Sequence, residues 1–401
     1  MRNRRCRLLC LLSIILYFVT LSAPVYAAAP GNGKPAGSAG PEETTTDLPS
    51  DANRLYHIPE DMIIYIPIRP LVEQLGGIIE WNSADSSILI ISPDGRKISH
   101  VPETRVLYIN GTQTDAALLS VLQNGVTYFP VPLINQLLGN NAEYDDAANT
   151  VTLSSPAPET DQTMLELKRS SELDFYLSEN LFRYMDYLTL HPEYALSRAI
   201  AYVNAGVDQP FFSNLREIDD PESTLVLCNK HHILPTDYEP DDLTYLSGTA
   251  QRLRSEAAAA YEKMKKEAAS EGYWFTVYSG YRSYSTQKRL YERYAAVDGA
   301  DGADDYSARP GHSEHQAGLA IDISAGVREA ELGHTETFRW LSENAYRFGF
   351  ILRYPDGYSE ITGYQYEPWH WRYVGIEAAT IMHDEQIPTF EEFCGKYLIA
   401  R

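Results

Sequence analysis

Cysteine is scarce in this 401-residue chain: there are four, and Cys6 and Cys10 fall within the first ten residues. Only Cys228 and Cys394 are left for the body of the protein. Two isolated thiols exclude a disulfide scaffold and a thiolate metal cluster. They leave open whether the two pair, since one bond in an oxidising compartment and two unrelated buried thiols fit equally. Basic charge is also short. Thirty-three Lys and Arg face 55 Asp and Glu, a net charge of -22, which argues against nucleic acid or anionic lipid as a partner. A glycine-rich phosphate loop is missing, which argues against a nucleotide-binding fold. Apolar and aromatic residues are not short, at 44% and 11%. The chain is therefore globular, and its length suits two or three folding units.

Long apolar runs are confined to the start. Arg2, Arg4, Arg5 and Arg7 precede an almost wholly apolar stretch over residues 8–21, and Val25-Tyr26-Ala27 follows. This is the pattern of a secretory signal over 1–27, cleaved after Ala27. The run is short of the roughly 20 residues a membrane span needs, so a retained anchor is the weaker alternative. Losing four Arg and no acid takes the net charge from -22 to about -26. Residues 28–54 are Gly, Pro, Ser, Thr and acid, the composition of a flexible linker.

Residues 55–155 contain an internal repeat. Tyr65-Ile66-Pro67-Ile68 recurs as Tyr128-Phe129-Pro130-Val131, 63 residues on. At the same offset Leu75-Gly76 falls on Leu138-Gly139 and Glu80-Trp81 on Glu143-Tyr144. Each copy reads as a short helix closed by Gly and then two short strands. Between them Asn110-Gly111 predicts a type I′ hairpin. The pattern resembles the copper amine oxidase N-terminal-like domain, yet no cluster of His or Cys here suits copper. A structural spacer, or one that contacts the cell wall, is the expected role. The polar, Pro-containing break over 156–165 implies that this module folds by itself, so that its loss should leave the activity of the rest of the chain nearly intact.

Helical periodicity follows over 156–210, a stretch read as linker and helices, with Leu181, Met185 and Leu188 on one face, then Leu196, Ile200 and Val203, and Gly206 as a stop. The remainder, 211–401, reads as α+β. A long helix is predicted from about Pro240 to Ser270, strands at 273–279, 319–323 and 369–374, and helices at 285–297 and 335–348. A capping box at Thr389 to Glu392 opens the last helix.

Two fragments of this last unit carry chemistry. In Ser313-Glu314-His315-Gln316-Ala317-Gly318-Leu319-Ala320-Ile321-Asp322, alternation turns Leu319, Ile321 and Ile323 to the core and Asp322 to the other face. An acid in so apolar a strand needs a cation or a pairing partner. A solvated sheet-face Asp accounts for the fragment equally well. In Glu367-Pro368-Trp369-His370, Trp369, Trp371 and Tyr373 share one face and His370 and Arg372 the other, with Glu367 restrained by Pro368. Alone, this fragment fits a Trp-rich core edge. Together the fragments offer two imidazoles and a carboxylate, a set that suits zinc with an open position. They also offer a separate carboxylate to move a proton.

At this point the sequence resembles the VanY-type D-alanyl-D-alanine carboxypeptidases of the M15 peptidase group. Ser313, His315, Gly318, Ala320, Asp322, Glu367 and His370 match the hallmark Ser-x-His-x-x-Gly-x-Ala-x-Asp followed by Glu-x-x-His. Gly280-Tyr281-Arg282-Ser283 and the stretch from Tyr306 to His312 extend the resemblance. It implies a zinc DD-peptidase/hedgehog-like catalytic domain behind a small α+β repeat module. It implies His315, Asp322 and His370 as zinc ligands, Glu367 as general base and Arg282 as the group that steadies the oxyanion. It places Ser313 and Gln287 against the substrate. Arg309 is read either as a carboxylate anchor or as half of a structural ion pair. His312 is expected in a supporting or loop role, and His231, His232 and His334 as ordinary residues. The implied substrate is the peptidoglycan stem peptide ending in D-Ala-D-Ala, met outside the cytoplasm at the cell wall. The motifs do not separate this activity from L,D-carboxypeptidase or endopeptidase action, nor do they set an oligomeric state. A non-catalytic wall-binding protein is the alternative of another class, and the presence of both Glu367 and Arg282 weighs against it.

Overall fold

The computed structural model describes residues 43–47, 56–58, 63–138, 141–145, 150–154 and 162–399. The expected secretory signal lies outside these residues. Within the expected linker, Glu43–Asp47 forms a strand antiparallel to Thr150–Ser154, which corrects the structureless reading there. Three successive β-branched threonines favour the extended chain.

The repeat is structural as well as sequential. Strand Ile63–Pro67, helix Ile68–Gln74 and strands Ile78–Asn82 and Ser87–Ile91 form one copy. The second copy is Val126–Pro130, Val131–Leu138, Asn141–Asp145 and Thr150–Ser154. All three strands map onto their counterparts at the 63-residue offset. The copies join through equivalent strands, with Phe129 opposite Ile66. Both residues are fully buried with Leu71, Ile90, Ile98 and Leu133. Asn110 and Gly111 have φ of 50° and 76°, the pair of positive values that a type I′ turn requires.

Three helices, Gln162–Ser170, Leu181–Leu190 and Leu196–Asn204, bridge to the rest. Leu181, Leu188, Ile200 and Val203 are buried as the periodicity predicts, and Gly206 ends the third helix at φ 83°. Ile78, Leu89 and Ile91 of the module share one core with Met164, Leu181 and Tyr184 of the bridge and Ile361 of the last unit. At the far side the third bridging helix lies against helix Phe390–Tyr397. A Cβ on Gly395 would come within 1.8 Å of the Ala201 carbonyl oxygen, so only glycine allows that approach. The described residues thus form one compact unit.

The last unit is built on a four-stranded antiparallel sheet. Its strands are β1 (Thr276–Ser279), β2 (Ala320–Ser324), β3 (Phe350–Leu352) and β4 (His370–Tyr373), in the order β1-β2-β4-β3. Helix Ser255–Ser270 packs Ala257, Tyr261, Met264 and Ala268 into a core with Leu319, Ile321, Ile323, Trp371 and Tyr373. The sequence places this helix's start near Pro240, and the structure corrects it. Leu243–Tyr245 and Arg252–Arg254 form a hairpin instead, turned through Gly248 at φ 78°. The helix begins where Asp242 accepts from Ser255 N and Oγ, at 3.1 and 2.7 Å. Leu253 is buried, but from a strand. The capping box at Thr389 is half made. Thr389 Oγ1 accepts from Glu392 N, while the Glu392 carboxylate turns away to Arg198 at 3.0 Å.

Candidate metal centre and active site

Register brings the chemistry together. Across the sheet Ser279 stands opposite Asp322, and Asp322 opposite His370. The polar positions of three strands therefore form one row on the face away from the core. His315 joins from the loop before β2, where its backbone carbonyl accepts from Arg282 N at 3.1 Å.

Each histidine has one nitrogen engaged and the other aimed at Asp322. His315 Nδ1 lies 2.8 Å from the Gly280 carbonyl, which leaves Nε2 3.2 Å from Asp322 Oδ2. His370 Nε2 lies 3.4 Å from Glu314 Oε2, which leaves Nδ1 3.2 Å from Asp322 Oδ1. The rings stand at 89° with centroids 5.0 Å apart. One ligand atom from each of the three residues falls within 4.8 Å of the others, and all three residues are buried. Asp322 Oδ1 is buried without a hydrogen bond, because the His370 contact has the distance but not the geometry of one. A buried carboxylate that faces two imidazole nitrogens, with one of its oxygens left without a donor, fits a divalent cation, and this donor set suits zinc.

The electrostatics agree. Burial raises the Asp322 carboxyl, but His315 and His370 beside it outweigh burial and hold it far below the usual range. Burial opposes charge on His370, yet the Asp322 and Glu314 carboxylates push its pKa up to about 9. A site that would rather hold a cation than a neutral imidazole is a site short of positive charge.

Glu367 sits just before β4, with its backbone N donating to the Tyr354 carbonyl at 3.1 Å. Its Oε2 is 3.7 Å from His370 Nδ1. Burial raises its pKa first, and Asp322 adds to this against the opposing His370, to about 8. The structure thus separates a carboxylate beside the centre from the one within it. Arg282 reaches the same place, with Nη2 3.6 Å from Asp322 Oδ2. Its Nη1 donates to Gln287 Oε1 at 2.6 Å and its Nη2 to Ser279 Oγ at 2.8 Å.

A cavity of about 410 Å³ opens onto this group, lined by Arg282, Ser313, His315, Asp322, Glu367 and His370 among others. Gln287 also lines it, but its amide is committed to Arg282 and, through Nε2, to the Ala308 carbonyl at 2.6 Å. Arg309 is gripped by Asp304 at 3.0 and 2.7 Å and lies 3.7 Å over the Phe212 ring. Of its two readings, the ion pair is the one formed here. His312 is buried, with Nδ1 2.8 Å from the Asn229 carbonyl, away from the three ligand candidates. Trp369 lines the cavity, whereas Trp371 and Tyr373 enter the core. Cys228 and Cys394 are buried free thiols.

Sequence reasoning missed the support beneath His370. Glu314 Oε1 accepts from Arg353 Nε and from Arg372 Nη1, both at 2.8 Å. Arg353 in turn forks onto Glu391 at 2.9 and 2.7 Å. All four side chains are 0% exposed or nearly so. Glu314 beside His315, and Arg372 on the His370 face of β4, were the available signals. Glu391, far along the chain, gave none.

Comparison with known proteins agrees with this geometry. The D-alanyl-D-alanine carboxypeptidase family VanY matches residues 250–376, and the copper amine oxidase N-terminal domain matches residues 57–153. YodJ of Bacillus subtilis, a carboxypeptidase by name, is 39% identical over 208 residues, which cover 47% of this chain and 76% of that protein. The bifunctional D-Ala-D-Ala dipeptidase and carboxypeptidase of Enterococcus gallinarum is 35% identical over 179 residues, 43% of this chain and 93% of that one. Among solved structures, the vancomycin-resistance D,D-pentapeptidase VanY in complex with Zn(II) is 37% identical, covering 42% of this chain and 98% of its own at a TM-score of 0.38. The family match spans the residues that converge on Asp322, and the Enterococcus gallinarum enzyme is covered almost end to end. This chain therefore belongs to the VanY family of D-alanyl-D-alanine carboxypeptidases.

Proposed function

We propose that the protein removes the terminal D-alanine from peptidoglycan stem peptides ending in D-Ala-D-Ala, outside the cytoplasmic membrane. The observation that carries this reading is the buried Asp322 carboxylate set between two imidazole nitrogens, one at each oxygen and with Oδ1 lacking a donor, and a separate buried carboxylate, Glu367, 3.7 Å from one of those nitrogens. In this reading His315, Asp322 and His370 hold zinc. Zinc held there supplies a Lewis acid for the scissile carbonyl and the attacking water. Glu367 takes the proton from that water and returns it to the leaving amine. Arg282 aims a fixed cation at the charge that develops on the carbonyl oxygen. Gln287 acts through Arg282 by holding its guanidinium, and Ser313, on the cavity wall, meets the peptide.

The signal pattern over 1–27 supports export, and among the described residues no helix is long and apolar enough to cross a membrane. The repeat module is read as a spacer or wall contact. The deciding experiment is product analysis of muropeptides incubated with the enzyme, with and without a chelator. Release of D-alanine from pentapeptides, abolished by chelation and restored by zinc, is expected. Release only from tetrapeptides would move the assignment to L,D-carboxypeptidase, and no release from either would overturn it.

A further inference from the structure

One acidic side chain in the catalytic cavity has no task in the proposed reaction. Four described acids line that cavity: Glu314, Asp322, Glu329 and Glu367. Asp322 faces the two imidazoles, Glu314 is held by Arg353 and Arg372, and Glu367 stands beside the centre as the base. Glu329 is left over. Among the described residues it forms no ion pair, although Arg328 next to it pairs with Glu331.

Its place is set by the fold. Glu329 opens the short 3-10 turn Glu329–His334, in which Leu332 is buried. Thr335 closes the turn, with its N and Oγ1 both donating to the Leu332 carbonyl, at 3.0 and 2.8 Å. A Cβ on Gly333 would lie 2.7 Å from the Tyr366 hydroxyl, so glycine there lets the turn pack against the segment that leads into Glu367. Glu329 itself is exposed, at the rim of the cavity.

The surroundings suit a cation. Arg282 is the one Lys or Arg among the described lining residues, and Ser279, Gln287 and Asp322 hold it at the centre. The Tyr278 hydroxyl is hydrogen-bonded to Glu329, which spends its proton on the carboxylate and leaves its oxygen as an acceptor. Tyr278 is 38% exposed, and with Trp369 it offers aromatic surface to the same cavity. The charge of Glu329 also reaches Glu367, where it adds to burial and to Asp322 in raising that carboxyl. A carboxylate, a hydroxyl acceptor and aromatic rings together match an alkylammonium group, which brings three donors and a positive charge.

We infer that Glu329 and Tyr278 select a peptide with an ammonium-bearing side chain at the residue before the D-Ala-D-Ala pair. This selection rests on the D,D-carboxypeptidase activity proposed above. The two terminal residues carry only methyl side chains, so the residue before them is the first that can bring a cation to the cavity. A diamino acid such as lysine does so. A neutral side chain of similar length leaves Glu329 without a counter-ion.

The test compares two N-acetylated tripeptides ending in D-Ala-D-Ala, one opening with lysine and the other with norleucine. Acetylation leaves the lysine ammonium as the sole cation of the pair. The zinc-loaded parent should cleave the lysine peptide with a kcat/KM about fivefold higher or more, carried mainly by KM, as expected for one ion pair at a partly exposed site. The preference should shrink at high salt. In Glu329→Gln the ratio between the two peptides should fall to near one, and Tyr278→Phe should lie between. Each protein is its own reference, so general damage to the site cancels from the ratio. If neither peptide releases D-alanine, the proposed activity fails, and calorimetric titration of the zinc-loaded parent with the same two peptides decides the selection. Tighter binding of the lysine peptide, lost in Glu329→Gln, upholds it. Equal kcat/KM or, without turnover, equal affinity for the two peptides in the parent overturns it, as does a preference that survives Glu329→Gln.

Discussion

Replacing Glu314 by Gln tests the support beneath His370 more sharply than replacing a ligand would. Glu314 and Glu391 balance Arg353 and Arg372 in a closed set of two acids and two bases, sealed from solvent. Glutamine keeps the shape and removes one charge, which leaves the set at +1. Breaking a buried pair in this way costs about 3–5 kcal/mol, because the remaining charge has neither water nor a counter-ion. A second effect is local. Glu314 Oε2 is the group that faces His370 Nε2, at 3.4 Å, and loss of such an outer partner costs about 10–100-fold in metal affinity. Glu391→Gln serves as the control. It leaves the same +1, but its oxygens meet Arg353 and Asn229 and not His370. Urea unfolding should therefore show a comparable loss for both variants, while zinc competition with a chromophoric chelator should show the weaker affinity for Glu314→Gln alone. The parent should also lose stability as pH falls below the ordinary glutamate value of 4.5, because the two arginines outweigh burial and hold the folded Glu314 carboxyl lower than that. A depressed folded pKa gives stability that is present above the unfolded value and lost below it, so the Glu314→Gln curve should be flatter there. Unchanged urea midpoints, or equal zinc loss in the two variants, would refute the reasoning.

Further outcomes are expected at the catalytic centre. Glu367→Gln should keep a full zinc complement in elemental analysis while kcat falls by about 10²–10⁴-fold; loss of the metal would instead make Glu367 a ligand. Arg282→Ala should keep zinc and weaken transition-state stabilisation by about 3–4 kcal/mol. Gln287→Ala should lower kcat less, by up to about 100-fold through misplacement of the guanidinium, so steady-state kinetics showing Gln287 the more damaging of the two would reverse their roles. Prolonged chelation should abolish peptide hydrolysis, and one equivalent of zinc per chain should restore it; full activity in a sample shown to be metal-free would remove the metal from the reading.

What could be read in the sequence follows from how local each cause is. Alternation placed Asp322 and His370 on the same side of their strands, and period-two geometry is set residue by residue, so both landed in one row of the sheet. The Asn-Gly turn and the 63-residue repeat were legible for the same reason. The hairpin at 243–254 was not, because Leu253 and Ala257 are spaced as one helical face would space them while in fact Leu253 belongs to a strand. Long-range partners left no local trace. Gln287 reads as an open polar group until Arg282 and the Ala308 carbonyl are brought to it. Thr389 and Glu392 have capping-box spacing, but a half-buried Arg198 from a distant helix draws the glutamate into an ion pair and away from the backbone N–H.

The polar break near Ala157 suggested a module that folds by itself, and the shared core argues for a different outcome of deleting it. Ile78, Leu89 and Ile91 come from the first copy of the repeat, yet their neighbours are Met164, Leu167, Phe175, Leu181 and Tyr184 on the bridge. Ser178 Oγ also donates to the Trp81 carbonyl at 2.9 Å, and Lys97 pairs with Asp186. Removing residues 57–153 takes away three buried aliphatic side chains, each worth about 1.5–3 kcal/mol when buried, and uncovers the bridging helices. Those helices lie in turn against Phe390–Tyr397 through the Ala201–Gly395 contact. The truncated protein should therefore melt at a lower temperature and aggregate more readily. No described residue of the module lines the catalytic cavity, so kcat per folded molecule on a soluble pentapeptide should stay close to that of the parent. Thermal unfolding of the truncated protein, with kinetics normalised to its folded fraction, separates the two effects. An unchanged melting temperature would mean that the shared core contributes no stability, and a large fall in normalised kcat would mean that the module reaches the chemistry by a route other than packing.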